Sequence, residues 1–205
     1  MGSERVLWDG EAYEPVVVFA HGAGAGPDSP FMQAMSENLV AQHIAVVRFE
    51  FPYWTEVRRQ GKRRPPNPQK QLQACMYEVA ASVGSRPLWL MGKSMGARVA
   101  FQVADSIAAR GAIGLGFPFH PPAKKDKTRT HELYNDCVNN LLIHGTHDPF
   151  GRQEWVAEQQ LPANLQLDWV SQGNHDLVPA RKTGISAQQS WLQIAQRVAQ
   201  FIHSK

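Results

Sequence analysis

The chain has 205 residues with 43% hydrophobic and 19% charged positions, which fits one globular domain spanning 1–205 and excludes a disordered or fibrous class. Its net charge of +3, from 21 basic and 18 acidic residues, is too mild to call for a nucleic-acid partner. No apolar run reaches the roughly 18 to 20 residues that would cross a bilayer, and Met1-Gly2-Ser3-Glu4-Arg5 leads into no signal-peptide core, so the expectation is a cytoplasmic protein with no membrane contact. Cys75 and Cys137, the two cysteines, form no metal or redox motif and no disulfide framework.

In chain order, short apolar runs alternate with helical patterns. The runs are 15–20, 44–49, 87–91, 112–116, 141–144 and 165–170, with Arg5-Val6-Leu7-Trp8 as a possible extra edge strand. Several are apolar throughout, as befits strands buried on both faces of a parallel sheet. Ser29-Pro30 and Asn67-Pro68 carry the cap and first-turn proline of two helices. Leu72, Cys75, Met76, Val79, Ala80 and Val83 mark one helical face, and Ser186 with Gln189 has capping-box spacing before a last helix. This alternation predicts a doubly wound, mainly parallel α/β sheet of about six strands with helices on both faces. Such sheets bind ligands beyond the carboxyl ends of their strands.

Chemically suggestive residues recur at those ends. After the third run comes Gly92-Lys93-Ser94-Met95-Gly96, then the small-residue helix Ala97, Ala100, Phe101, Ala104. A G-x-S-x-G between strand and helix is a turn so tight that side chains two residues either side of the serine would collide. It exposes a serine hydroxyl as a nucleophile. Gly92-Lys93-Ser94 has no leading glycine for a phosphate loop, because Leu88 stands inside the strand.

A serine needs a base, and the base needs an orienting acid. Asp148 follows the fifth run in His144-Gly145-Thr146-His147-Asp148-Pro149, and His175 follows the sixth in Gly173-Asn174-His175-Asp176. Ser94, Asp148, His175 is the chain order expected of an α/β-hydrolase triad. Asp176 is a poorer orienter because it adjoins His175. His144-x-x-His147-Asp148 is a short metal-like cluster without further ligands, so no metal is expected.

After the first run, His21-Gly22-Ala23-Gly24-Ala25-Gly26-Pro27 stands where an oxyanion loop belongs, with the N–H groups of Ala23 and Met95 as its donors. A dinucleotide loop is disfavoured by Pro27 at the third glycine position. Substrate contacts are expected from His21, Gly22, Tyr53, Trp54, Phe117 and Phe119, although the aromatics serve equally well as caps on the core. The basic stretch Arg58, Arg59, Lys62, Arg63, Arg64 would attract an anionic substrate or simply be a solvated loop.

Together these segments resemble the α/β-hydrolase superfamily over nearly the whole chain. More narrowly, the His21 to Gly26 loop, Gly61 to Pro66, Phe117 to Pro122 and Gly145 to Gly151 are similar to a family of small hydrolase-like proteins. That family has bacterial members and eukaryotic relatives such as a subunit of a histone-acetyltransferase-associated (NSL) complex. The superfamily resemblance implies a hydrolase fold, and the narrower one implies little about substrate. The triad residues point to a carboxylesterase-like (EC 3.1) serine hydrolase. The lack of an insertion large enough for a helical lid, which makes the fold a minimal one, points to a small ester, thioester or related acyl substrate; that chemistry needs no cofactor, and no particular protein partner is indicated. The resemblance also leaves open a non-catalytic scaffold, or a lyase or perhydrolase on the same fold.

Overall fold

The computed structural model describes residues 5–135 and 139–205; residues 1–4 and Cys137 lie outside them. One seven-stranded sheet runs through the molecule in the order β1-β3-β2-β4-β5-β6-β7. Its strands are β1 (Val6–Asp9), β2 (Val16–Ala20), β3 (Ala45–Phe49), β4 (Leu88–Lys93), β5 (Ala112–Leu115), β6 (Asn140–Gly145) and β7 (Leu165–Val170). β1 lies antiparallel on the edge against β3, and every other neighbouring pair is parallel. The six expected strands are all present, and the edge strand makes a seventh.

The strand pleat sorts the core into two layers. Val16, Val18 and Ala20 of β2 and Leu90 of β4 face a layer with α3 (Gln69–Ala81) and α4 (Met95–Ile107). Val17 and Phe19 of β2, with Trp89 and Met91 of β4, face the layer of α1 (Pro30–Val40) and α6 (Ala187–His203). Side chains alternate across a strand with period two, so each run is apolar at every position because both faces are covered. Buried on both sides, Val16 to Ala20 have no exposed surface.

Two helices were not expected. α2 (Pro52–Gln60) occupies the segment taken for a cleft-lining loop, and the short α5 (Gln153–Ala157) follows β6. α2 starts with Pro52 in its first turn and stops at Gly61, whose φ of 65° closes the helix with an N–H donated to the Val57 carbonyl at 2.8 Å. Asn67 does not cap α3; its Oδ1 instead accepts the Tyr53 N–H at 2.7 Å, satisfying the start of α2, and Pro68 takes the cap position. The capping box of Ser186 and Gln189 is formed in both directions, at 2.8 and 3.2 Å. Among the described residues no helix is long and apolar enough to cross a membrane.

The chain order reverses beside β2: β3 lies on one side of it and β4 on the other. The crevice above that reversal, between the loops that follow β2 and β4, is where a doubly wound sheet receives its ligand.

Candidate active site

Ser94 sits in the sharp turn between β4 and α4 with φ 53° and ψ −111°, a left-handed conformation that costs a non-glycine residue strain and is held by its surroundings. Its N–H donates to the Leu115 carbonyl at 3.0 Å. A side chain at Gly92 would overlap the backbone of Gly96, and one at Gly96 would overlap the Ala20 carbonyl. The two glycines therefore let α4 start immediately over the end of β2. The first N–H groups of α4 have no acceptor within the helix, and Met95 contributes one of them beside Ser94.

His175 and Asp148 reach Ser94 from the ends of β7 and β6. His175 Nε2 lies 2.9 Å from Ser94 Oγ, and its Nδ1 lies 2.7 Å from Asp148 Oδ2. An Nδ1–H donated to the carboxylate leaves Nε2 free to accept the serine proton. Asp148 is fully buried, and its Oδ1 accepts the Phe150 N–H at 2.8 Å. Burial alone would raise its pKa, but the His175 hydrogen bond, the nearby His144 and the Phe150 N–H hold it below the usual carboxylate value. Phe150 packs on the His175 ring with centroids 4.3 Å apart. The rival orienter Asp176 is 71% exposed and points to Lys93 instead. His144 is buried, with Nε2 2.9 Å from the Gly151 carbonyl, whereas His147 is exposed; the pair does not converge on a common point. Among the described residues no group of three or more His, Cys, Asp or Glu side chains could hold a metal.

The His21 to Pro27 loop forms the opposite wall. His21 is fully buried; its Nε2 accepts the Phe51 N–H at 3.1 Å, which leaves Nδ1 as the protonated nitrogen, 2.7 Å from the Gly22 carbonyl. The Tyr53 hydroxyl donates to the carbonyls of Gly22 and Ala23 at 3.1 and 3.2 Å. In a trans peptide the N–H points opposite to the C=O. Pulling the Gly22 carbonyl inward thus turns the Ala23 N–H outward. Burial pushes the His21 pKa down to about 4, so the ring is neutral at pH 7.

Between these walls lies a cavity of about 430 Å³, lined by Gly22 to Ala25, Ser29, Phe31, Met32, Lys93, Ser94, Phe150, His175 and Asp176. Of the expected substrate contacts only Gly22 is on its surface. Phe117 and Phe119 have no exposure and belong to the core, packed edge-to-face on one another and on Phe101 and His144. His21 and Tyr53 stand behind the loop as its supports, and Trp54 packs against Gly26, where any side chain would collide with the indole. The basic stretch is also absent from the cavity: Arg58 pairs with the buried Glu50 at 3.0 Å and Arg59 lies 3.6 Å from Glu56, while residues 61 to 66 are exposed. Phe31, Met32, Lys93 and Phe150 were not anticipated. Lys93 was readable, since period two along β4 carries it onto the face of Trp89 and Met91.

A seven-stranded, mostly parallel sheet with helices on both faces, no large helical insertion among the described residues, and a serine on the strand-to-helix turn define the α/β-hydrolase class. The family described as "Alpha/beta hydrolase domain" matches residues 13–203, so the chain belongs to that family. Solved structures share the fold at low identity. An α/β serine hydrolase without lid from Xanthomonas campestris has TM-score 0.68 and 16% identity, covering 97% of this chain and 88% of that one. The dienelactone hydrolase of Anabaena variabilis has TM-score 0.68 and 18% identity over 94% and 87%. Est1E from Butyrivibrio proteoclasticus has TM-score 0.71 and 13% identity over 97% and 93%.

Proposed function

We propose that the protein is a serine hydrolase that transfers the acyl group of a small ester or thioester to water, a carboxylesterase-like activity. The observation that carries this reading is the unbroken chain from Ser94 Oγ through His175 to Asp148, at 2.9 and 2.7 Å, opening on the cavity. His175 removes the Ser94 proton as Oγ attacks the carbonyl carbon. The negative charge that develops on the carbonyl oxygen is received by the N–H groups of Ala23 and Met95. Asp148 fixes the imidazole tautomer and stabilises the imidazolium. The imidazolium then protonates the departing alcohol or thiol. Water, deprotonated by His175, attacks the acyl-enzyme and frees the acid and Ser94. No step calls for a cofactor. Two structural neighbours, a serine hydrolase and a dienelactone hydrolase, agree with this chemistry.

A fluorophosphonate probe tests it, with the adduct located by mass spectrometry. The expected outcome is labelling of wild type at Ser94 and none in Ser94→Ala or His175→Ala. A folded wild-type protein that takes no label would leave the non-catalytic alternative as the better account.

A further inference from the structure

Lys93 occupies the variable position before the serine and is buried, its side chain only 9% exposed. Lysine is almost never buried without full pairing, because its ammonium loses hydration. Among the described residues the pairing is incomplete. The ammonium has three N–H donors. One meets the His175 carbonyl at 2.8 Å. The Asp176 carboxylate lies at 3.8 Å, beyond hydrogen-bonding range, and is 71% exposed, so solvent screens it. The ring of Phe31 stands 5.8 Å away. Burial lowers the Lys93 pKa to about 8, with Asp176 and Asp148 opposing the drop, and the group still carries its proton at pH 7.

The surroundings add to the positive field. Ser29 and the first turn of α1 form the cavity wall opposite His175 and Asp176. α1 has no side-chain cap bond and no acidic residue in its first turn, and Asp28, just before its cap, is engaged by Arg5 at 2.7 Å. A tie between Lys93 and the His175 carbonyl needs one donor and no charge. It does not account for an ammonium kept beside the cavity with donors to spare.

We propose that the cavity accepts acyl substrates carrying a carboxylate and that Lys93 is the residue that receives it. This rests on Ser94 being the nucleophile of the same cavity. A single ammonium matches the one negative charge of a carboxylate; a phosphate dianion would bring a second charge that no other lining residue of the cavity is cationic to receive. Phe31, Met32 and Phe150 supply apolar walls for the carbons between the carboxylate and the scissile carbonyl.

The test compares kcat/KM for 4-nitrophenyl hemisuccinate and hemiglutarate with that for the neutral butyrate and valerate esters. Wild type is expected to prefer the anionic esters by about tenfold or more, Lys93→Met to lose that ratio, and Asp176→Asn to raise it. In parallel, titration calorimetry of Ser94→Ala with glutarate, against neutral glutaramide, reads the site without turnover. Glutarate should bind to Ser94→Ala and fail to bind to the Ser94→Ala, Lys93→Met double variant. Equal rates on charged and neutral esters, with glutarate unbound, overturn the carboxylate site and leave the hydrolase standing. Glutarate binding through Lys93 without any turnover or labelling supports the site and sinks the hydrolase. Absence of both sinks both. Should Lys93→Met not fold, Lys93→Gln decides, since its amide can keep the bond to the His175 carbonyl without the charge: a lost ratio supports the site and a retained one overturns it.

Discussion

Two loops close on Ser94, and they are held by opposite means. The one after β2 is gripped by neutral groups where it meets Ser94: His21 and Tyr53 hold the Gly22 carbonyl and Trp54 fills the space against Gly26, while the Arg48 guanidinium holds only the Pro27 carbonyl at its far end, at 2.8 Å. The one after β7 is fixed by ionic and amide groups. Asp148 holds the His175 ring, Lys93 holds its carbonyl, and Asn174 Oδ1 accepts the N–H groups of Asp176 and Val178 at 2.9 and 3.1 Å. A loop that offers N–H dipoles to a developing charge works best if nothing in it titrates or moves. A loop that carries the base must take up and release a proton twice in each turnover. The proposed chemistry thus accounts for the difference in construction.

The largest effect should come from removing charge where the second loop uses it. Asp148→Asn keeps the volume and can keep the Phe150 N–H bond, but its amide presents N–H to His175 Nδ1. That moves the imidazole proton to Nε2, where it blocks the serine. The expected loss in kcat is about 10⁴-fold, the size that the same tautomer error produces in serine proteases. It is read on any 4-nitrophenyl ester that wild type cleaves. A loss below about tenfold would break the contrast, because the second loop would then not need its ion.

Most of the sheet was legible in advance because burial on both faces makes a strand an unbroken apolar run, as in Val16 to Ala20. The Ser94 turn was legible because only glycine fits at 92 and 96, which the overlaps with Gly96 and Ala20 bear out. The pairing of Ser94, His175 and Asp148 followed from chain order and strand ends. The cavity lining did not. Phe117 and Phe119 follow β5, but whether such residues turn to the core or the cleft depends on tertiary packing that no local pattern records. Asn67 went to α2 rather than α3 for the same reason, through a bond across fourteen positions. α2 itself had readable ends in Pro52 and Gly61 that the aromatic run obscured. The cluster from Arg58 to Arg64 is conspicuous in the sequence yet lies outside the cavity, whereas Lys93 is a lone lysine whose importance comes from burial.

A buried histidine stands behind each side of the site, His21 in the loop after β2 and His144 under the loop after β6 that carries Asp148, and the two give a second way to sharpen the comparison. His21 and His144 are both pushed down to about 4 by burial. Their folded pKa lies below the ordinary value of 6.5, so the unfolded chain binds protons that the folded one refuses. Stability should be complete above pH 6.5 and fall as pH drops toward 4, with a limiting slope of about 2.7 kcal/mol per pH unit from the two together. Urea unfolding between pH 4.5 and 7.5 measures it. His21→Met and His144→Met should each remove about half the slope, and an unchanged slope in either would discount that residue. At pH 7 the two variants should part. His21 uses both nitrogens, so its loss strands the Phe51 N–H and costs about 1–3 kcal/mol. His144 Nδ1 already lacks a partner, and its variant should cost less.

The smallest effect tests how firmly the first loop is fixed. Tyr53→Phe removes one hydroxyl shared between the Gly22 and Ala23 carbonyls, while His21 keeps its bond to Gly22. A net hydrogen bond of about 0.5–1.5 kcal/mol corresponds to a drop in kcat of roughly two- to twelvefold. KM should stay where it was, because the outward Ala23 N–H is needed when charge appears on the carbonyl oxygen and little before. A rise in KM with kcat unchanged would mean that Tyr53 shapes the cavity wall and leaves the donor alone. A loss near a hundredfold would mean that His21 cannot hold the peptide by itself. The neutral loop would then depend on two grips acting together, as the ionic loop depends on Asp148 and Lys93.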